Sequence, residues 1–166
     1  MLTQKQRDTL LAPVKADRVR RDPNGMSYLE GYEVVAHLNR LFGFEGWDKY
    51  VQDLKLVFED SQDKNGRTGW YACYSCIVRL VIRDPDQVQQ MVREDAGTGE
   101  AQNQPQRAAA HDLAIKTAVT DALKRCAKDL GDQFGLSLYR KGSTDALVKV
   151  VIPYDDASGG GGRLPL

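Results

Sequence analysis

Three cations, Lys124, Arg125 and Lys128, stand three and four residues apart in T-A-V-T-D-A-L-K-R-C-A-K-D-L-G, the stretch from Thr117 to Gly131. At about 100° per residue they share one helical face with Thr117 and Asp121, while Ile115, Ala118, Val119, Ala122, Cys126 and Leu130 gather on the other. A row of ammonium and guanidinium donors suits phosphate oxygens. Asp121, one turn earlier, is spaced to hold Lys124 and Arg125 by helix-neighbour pairing. The competing reading is a solvated helix end whose cations complement the macrodipole.

Other residues invite other chemistries. Glu94, Asp95 and Glu100 surround two glycines in E-D-A-G-T-G-E, and a carboxylate group of this kind can hold a divalent metal for nuclease chemistry. The same stretch lacks the strand, glycine loop and lysine order of a nucleotide cradle. It reads instead as a backbone-permissive exit from a sheet into the helix. Cys73 and Cys76 form a C-x-x-C inside a strand-like run, where residues three apart point to opposite faces, so metal or redox use is disfavoured. His37 has no cysteine or second histidine at metal-ligand spacing. No metal and no cofactor are expected. Lys15 to Arg21 carries four cations without helical or strand period, a solvated loop or a phosphate-contacting arm. Tyr28 closes that segment, its ring either stacked on a base or its hydroxyl at a phosphate, or else filling a core gap.

The elements that must position these residues follow from periodicity. Thr3 to Leu11 predicts a short helix ended by Pro13, and Pro23-Asn24-Gly25 a turn. A second helix spans Glu30 to Phe42, with Val34, Val35, Leu38, Leu41 and Phe42 inward and Gly43 as its stop. Trp47 reads as a core anchor. Three strands follow, over Asp48 to Glu59, Gly69 to Arg83 and a shorter one near Val88 to Asp95. Asn65-Gly66 makes a hairpin of the first two, and Asp84-Pro85-Asp86 separates the second from the third. The long helix runs from about Gln106 to Leu130, stopped by Gly131. Phe134, Leu136, Leu138 and Tyr139 pack after it, and Ala146 to Ile152 reads as an edge strand. The fold class is therefore α+β, an antiparallel three-stranded meander packed against a long helix, a β-β-β-α core.

A chain of 166 residues supports one core of domain size, here residues 1–152, with a Gly-rich flexible tail over 153–166. No apolar run spans a bilayer, no membrane partner is expected, and the N-terminus lacks a signal-peptide core. Three cysteines, an odd number without dense spacing, fit a reducing interior: cytoplasm, or nucleus in a eukaryote. Formal net charge is zero, which argues against a polyanion binder working by bulk charge. The charge is nonetheless polarised, with three more basic than acidic residues from Gln106 to Lys141 and three more acidic than basic from Asp48 to Glu100. The element order also suits a double-stranded-RNA-binding domain, but such a domain is shorter and starts its last helix with a lysine cluster, where this chain has Ala108-Ala109-Ala110-His111-Asp112. A purely structural oligomer, its basic helix paired with acidic neighbours, is a further alternative.

Four motifs, Tyr28-Leu29-Glu30-Gly31, Phe42-Gly43-Phe44-Glu45-Gly46-Trp47, Glu94-Asp95-x-Gly97-x-Gly99 and Ala118-Val119-Thr120-Asp121-x-Leu123-Lys124-Arg125 followed by Gly131, closely resemble the DNA-annealing domain of the Rad52 family, in the family's order. The resemblance implies a closed homo-oligomeric ring whose basic groove holds single-stranded DNA and promotes annealing of complementary strands in homologous recombination and repair. It implies no ATP use, no bond cleavage and no enzyme. Lys124, Arg125 and Lys128 match the family's inner groove cations, with Lys128 where an arginine is familiar. Arg18, ten residues before Tyr28, matches the cation ahead of the family's tyrosine. Arg67 and Lys141 resemble positions of an outer DNA path, while another basic position of that path falls on Pro105, with Arg107 nearby. The C-terminal region by which eukaryotic members bind a recombinase and a single-strand-binding protein is missing from this sequence, so a bacterial or phage setting is expected, with either protein kept as a candidate partner.

Overall fold

The computed structural model describes residues 2–84 and 90–151. Helix α1 (Gln4–Leu11) begins at a capping box: the Thr3 hydroxyl accepts from the Gln6 amide, and the Gln6 side chain accepts from the Thr3 amide at 2.8 Å. Around the expected turn, Asp22 accepts from the amides of Asn24 and Met26, and Gly25 takes φ of +81°. The arms of that turn pair as a ribbon of β1 (Val19–Arg21) and β2 (Ser27–Leu29), with Arg20 opposite Tyr28. The aperiodic cations of Arg18 to Arg21 thus include a short strand, because three residues are too few to show a period.

Helix α2 (Gly31–Phe42) ends at Gly43, φ +79°, and buries Val34, His37 and Leu38. Trp47 packs partly buried against the core and donates its indole N–H to Asn39 at 2.8 Å. The sheet is the predicted meander, ordered β3 (Trp47–Lys64), β4 (Arg67–Arg83), β5 (Gln90–Gln104), antiparallel throughout. Asn65 and Gly66 both have positive φ, as the tight hairpin requires. Central β4 supplies Cys76, Val78, Leu80 and Ile82 to the core, where they meet Val34 and Leu38 of α2 and the apolar face of α3 (Arg107–Lys128).

Three expectations need correction. The third strand does not stop near Asp95: it continues to Gln104, so Glu94 to Glu100 lies within β5 and is no exit loop. Gly97 and Gly99 are there because α3 lies directly on them. A Cβ at Gly97 would fall 2.4 Å from the Ala122 nitrogen, and one at Gly99 would fall 2.2 Å from the Ala114 oxygen. On the helix the seam is made by Ala110, Ala114, Ala118 and Ala122, all buried and four apart. Residues 146–151 form no strand; instead the amides of Leu147 and Val148 donate to the buried carboxylate of Asp132 at 2.8 and 3.1 Å. Tyr139 does not pack, being 74% exposed, whereas Phe134 and Leu138 are buried as expected. The tail over 153–166 lies outside the described residues, as do Pro85 and Asp86 of the expected break. Among the described residues no helix is long and apolar enough to cross a membrane.

Candidate nucleic-acid interface

The small-residue seam fixes which face of α3 turns outward. With the alanines against β5, Lys124, Arg125 and Lys128 emerge over the last two turns of the helix, beyond and beside that seam, on the flank that meets β2. Gly31 brings α2 onto the same helix, since a Cβ there would come within 2.5 Å of Thr120 Cγ2. Tyr28, three residues before Gly31, is thereby set beside Lys124. Its ring lies 5.3 Å from Lys124 Nζ, a cation–π contact.

These residues line one groove of about 230 Å³, between β2, the end of α3 and the 3₁₀ turns Asp132–Phe134 and Leu136–Tyr139. Each cation is held by a different partner. Arg125 donates from Nε to Asp121 at 2.9 Å, as the spacing predicts, and that bond raises the guanidinium pKa. Lys124 makes no ion pair among the described residues and rests on Tyr28. Lys128 Nζ stands 5.2 Å above the Tyr139 ring and 3.6 Å from Asp129. The three cations against Asp121 leave the groove two positive charges in excess. The Tyr28 hydroxyl donates to Glu30 at 3.2 Å, and partial burial followed by the Glu30 charge raises its pKa, so the phenol stays a neutral donor.

Arg18 lies elsewhere. Its Nε pairs with Glu33 at 2.7 Å and its Nη1 donates to Gln133 at 2.9 Å, and the side chain is only 10% exposed. It borders a second cavity, beside β1, in place of an exposed loop position. Burial alone would raise the Glu33 carboxyl, but hydrogen bonds from Arg40 and Arg18 hold it below the usual range. Arg67 opens β4 at the tip of the hairpin and does not line the groove. Lys141, φ +52°, is exposed, and its neighbour Gly142 abuts Ser27 on the groove strand. Arg107 is tied down: it donates from Nε and Nη2 to Glu59, each at 3.1 Å, and stacks on Trp70.

Tyr139 was not foreseen as a site residue. Its only signal is an aromatic directly before Arg140-Lys141, an apolar ring where the chain turns cationic. The carboxylates of the nuclease alternative do not converge. Glu94 and Glu100 point to the solvent face of β5 and are six residues, about 20 Å, apart. Asp95 points to the opposite face, and Glu94 is paired with Arg79 at 2.7 Å. Among the described residues no three His, Cys, Asp or Glu are grouped to hold a metal.

Comparison with known proteins gives a consistent picture. A model of the Rad52/22 family of double-strand break repair proteins matches residues 4–154. The DNA repair and recombination protein RAD52 of Candida glabrata is 34% identical over 125 residues, 75% of this chain and 23% of that protein. The Saccharomyces cerevisiae protein of the same name is 34% identical over 125 residues, covering 75% of this chain and 24% of its own. The DNA repair and recombination protein rad22 of Schizosaccharomyces pombe is 33% identical over 124 residues, 74% of this chain and 25% of that protein. The chain thus spans about a quarter of the length of these curated relatives.

Proposed function

Because this chain belongs to the Rad52/22 family of double-strand break repair proteins, we propose that it binds single-stranded DNA in the Tyr28–Lys124–Lys128 groove and anneals complementary strands during repair and recombination. The single observation that carries the reading is the convergence of Tyr28, Lys124, Arg125 and Lys128 on one groove. Annealing requires that phosphates be held while base edges stay free to test a second strand. Backbone cations and two aromatic rings satisfy that requirement, since rings stack on any base. The step needs positioning alone, so the protein works without ATP and cuts no bond.

The same reading makes residues 1–152 the annealing and oligomerisation domain, assembling with copies of itself into a closed ring. Support comes from β3, an edge strand that leaves Val51, Leu54, Leu56, Val57 and Phe58 exposed, each above 40%. Closed symmetry would join one modest stripe per subunit into a continuous anion track, which reconciles zero net charge with a polyanion ligand. Arg18, Arg67 and Lys141 extend the DNA contacts beyond the groove, and a recombinase or single-strand-binding protein is the expected further partner.

Binding of a labelled oligothymidylate across a salt series tests the groove. Lys124→Ala, Arg125→Ala and Lys128→Ala should each weaken binding and flatten the logarithmic salt slope by about 0.7 per lost phosphate contact. Tyr28→Ala should fold yet bind and anneal poorly, whereas Tyr28→Phe keeps the ring. Unchanged binding by folded variants of all three cations would overturn the assignment.

A further inference from the structure

A third cavity, a groove of about 390 Å³, is walled by Leu10 and Leu11 of α1, Leu130 beyond the end of α3, Leu136 of the last 3₁₀ turn, and Val148 and Val151. It shares no lining residue with the groove of Tyr28, Lys124 and Lys128. Two charged residues join the aliphatic wall, Arg7 and Asp129. Among the described residues the Arg7 guanidinium donates to the Leu2 carbonyl and the Gln4 amide oxygen and meets no carboxylate, while Asp129 stands 3.6 Å from Lys128.

An open groove of leucine and valine side chains forgoes the dehydration and the contacts that a filled one gains. The chain itself is brought to its mouth. The Leu147 and Val148 amides donate to Asp132, which fixes this stretch of backbone, and Val151, the last described residue, stands in the groove wall at 54% exposed. Fifteen residues follow, I-P-Y-D-D-A-S, four glycines, then R-L-P-L. Leu164-Pro165-Leu166 is the stretch after the glycines that has aliphatic side chains to bury. Pro165 sets its own φ and biases Leu164 to extended backbone, which lowers the entropy lost on docking.

The charges complement in the same way, Arg163 suiting Asp129 and the Asp155-Asp156 pair suiting Arg7. Reach is ample. Thirteen steps separate Val151 from Leu164, and a Gly-rich chain of that length spans about 20 Å root-mean-square, whereas the groove begins at Val151 itself. Such a tether holds the segment at an effective concentration of about 1 mM, so a weak intrinsic affinity suffices.

We propose that this groove is the docking site of the chain's own residues 163–166, with Leu164 and Leu166 against Leu10, Leu11 and Leu136, and Arg163 paired with Asp129. The segment then acts as an internal cover, closing the groove to apolar segments of other proteins. No residue of the Tyr28–Lys124–Lys128 groove takes part, so the proposal stands or falls independently of the annealing reading.

The test uses the full chain with a photo-reactive leucine analogue at position 164 or 166. Irradiation and peptide mass spectrometry should place the cross-links on α1 and on Leu136, and mixing isotope-labelled with unlabelled copies should show them to lie within one chain. Trypsin gives a second measurement on the chain without the analogue, because docking shields the bond after Arg163 and cleavage follows the undocked population. Val148→Asp sets a charge in the groove wall and should raise the cleavage rate about tenfold, the factor expected when an aliphatic contact of the docked state is lost. Asp129→Arg should raise it as well, through the lost ion pair, with melting curves showing both variants folded. Cross-links scattered over the surface, cross-links joining different copies, or a cleavage rate at Arg163 indifferent to both substitutions would each overturn the proposal.

Discussion

Acidification should destabilise this protein through His37 before its carboxylates are titrated. Burial, followed by the charges of Arg18 and Arg40, lowers the imidazole pKa from 6.5 to about 4. The folded state therefore holds His37 neutral where the unfolded chain has already taken up its proton, and the unfolded state binds more protons as pH falls below 6.5. Stability is unaffected above about pH 7.5, declines as pH drops from 6.5 toward 4, and levels off for this group below 4. With the two pKa values, the loss relative to pH 8 is about 2 kcal/mol at pH 5 and about 3 kcal/mol at pH 4. That is a large fraction of the 5–15 kcal/mol typical of a domain. Urea unfolding from pH 8 to pH 5, in chloride buffers free of phosphate and at one protein concentration, measures it. His37→Leu keeps the apolar contact with Phe134, whose ring centroid is 5.0 Å away, and should abolish most of the slope. A wild-type stability flat across pH 8 to 5, or a slope that survives His37→Leu, would refute the buried-neutral assignment.

Gly97→Ala and Gly99→Ala should each cost about 1–3 kcal/mol or more by forcing α3 off β5, as thermal melts would reveal, because the new methyl meets helix backbone and not a movable side chain. If the proposed assembly runs through edge strand β3, Leu56→Asp with Phe58→Asp, both exposed there, should leave the melting temperature nearly unchanged while lowering the mass seen by light scattering; an unaltered mass would discount β3 as an interface. Asp132→Ala removes the acceptor of two amides and should cost about 1–3 kcal/mol. Hydrogen exchange at Leu147 and Val148 should accelerate with it, and unchanged protection there would show that the segment is held by other contacts.

Much of the frame was legible because its signals are local. The α2 stripe, the Asn65-Gly66 hairpin and the face of α3 each follow from periodicity or from turn chemistry within a few residues. What failed depended on partners distant in sequence. Glycine weakens a strand on local propensity, so Gly97 and Gly99 read as a loop; only the alanine stripe of α3, more than ten residues on, makes them the required residues of a strand. Residues 146–151 alternate as an edge strand would, yet their amides go to Asp132, a carboxylate no pattern assigns to them. In the groove the cations were legible and their restraints only in part. Asp121 was read as the holder of both Lys124 and Arg125, and it holds Arg125, while Tyr28 takes Lys124.

The four motifs that carry the family likeness serve the groove largely without forming it. Gly31 seats α2 on Thr120, Gly97 and Gly99 seat α3 on β5, and Gly43, at positive φ, ends α2 so that the chain can turn into the sheet. Gly97 and Gly99 lie against helix backbone, Gly43 adopts a conformation that side chains rarely take, and Gly31 lies against the Thr120 side chain. Tyr28 and Lys124 belong to different motifs, 96 residues apart. They meet because Gly31 lies three residues after one and Thr120 four residues before the other, and those two touch. The placement of Tyr28 beside Lys124 thus runs through a glycine–threonine contact one helical turn before Lys124. A substitution there, such as Gly31→Ala against Thr120 Cγ2, would move Tyr28 off Lys124 without altering any charged residue. Loss of strand binding in that variant, with its cations intact, would separate the positioning of the groove from its charge.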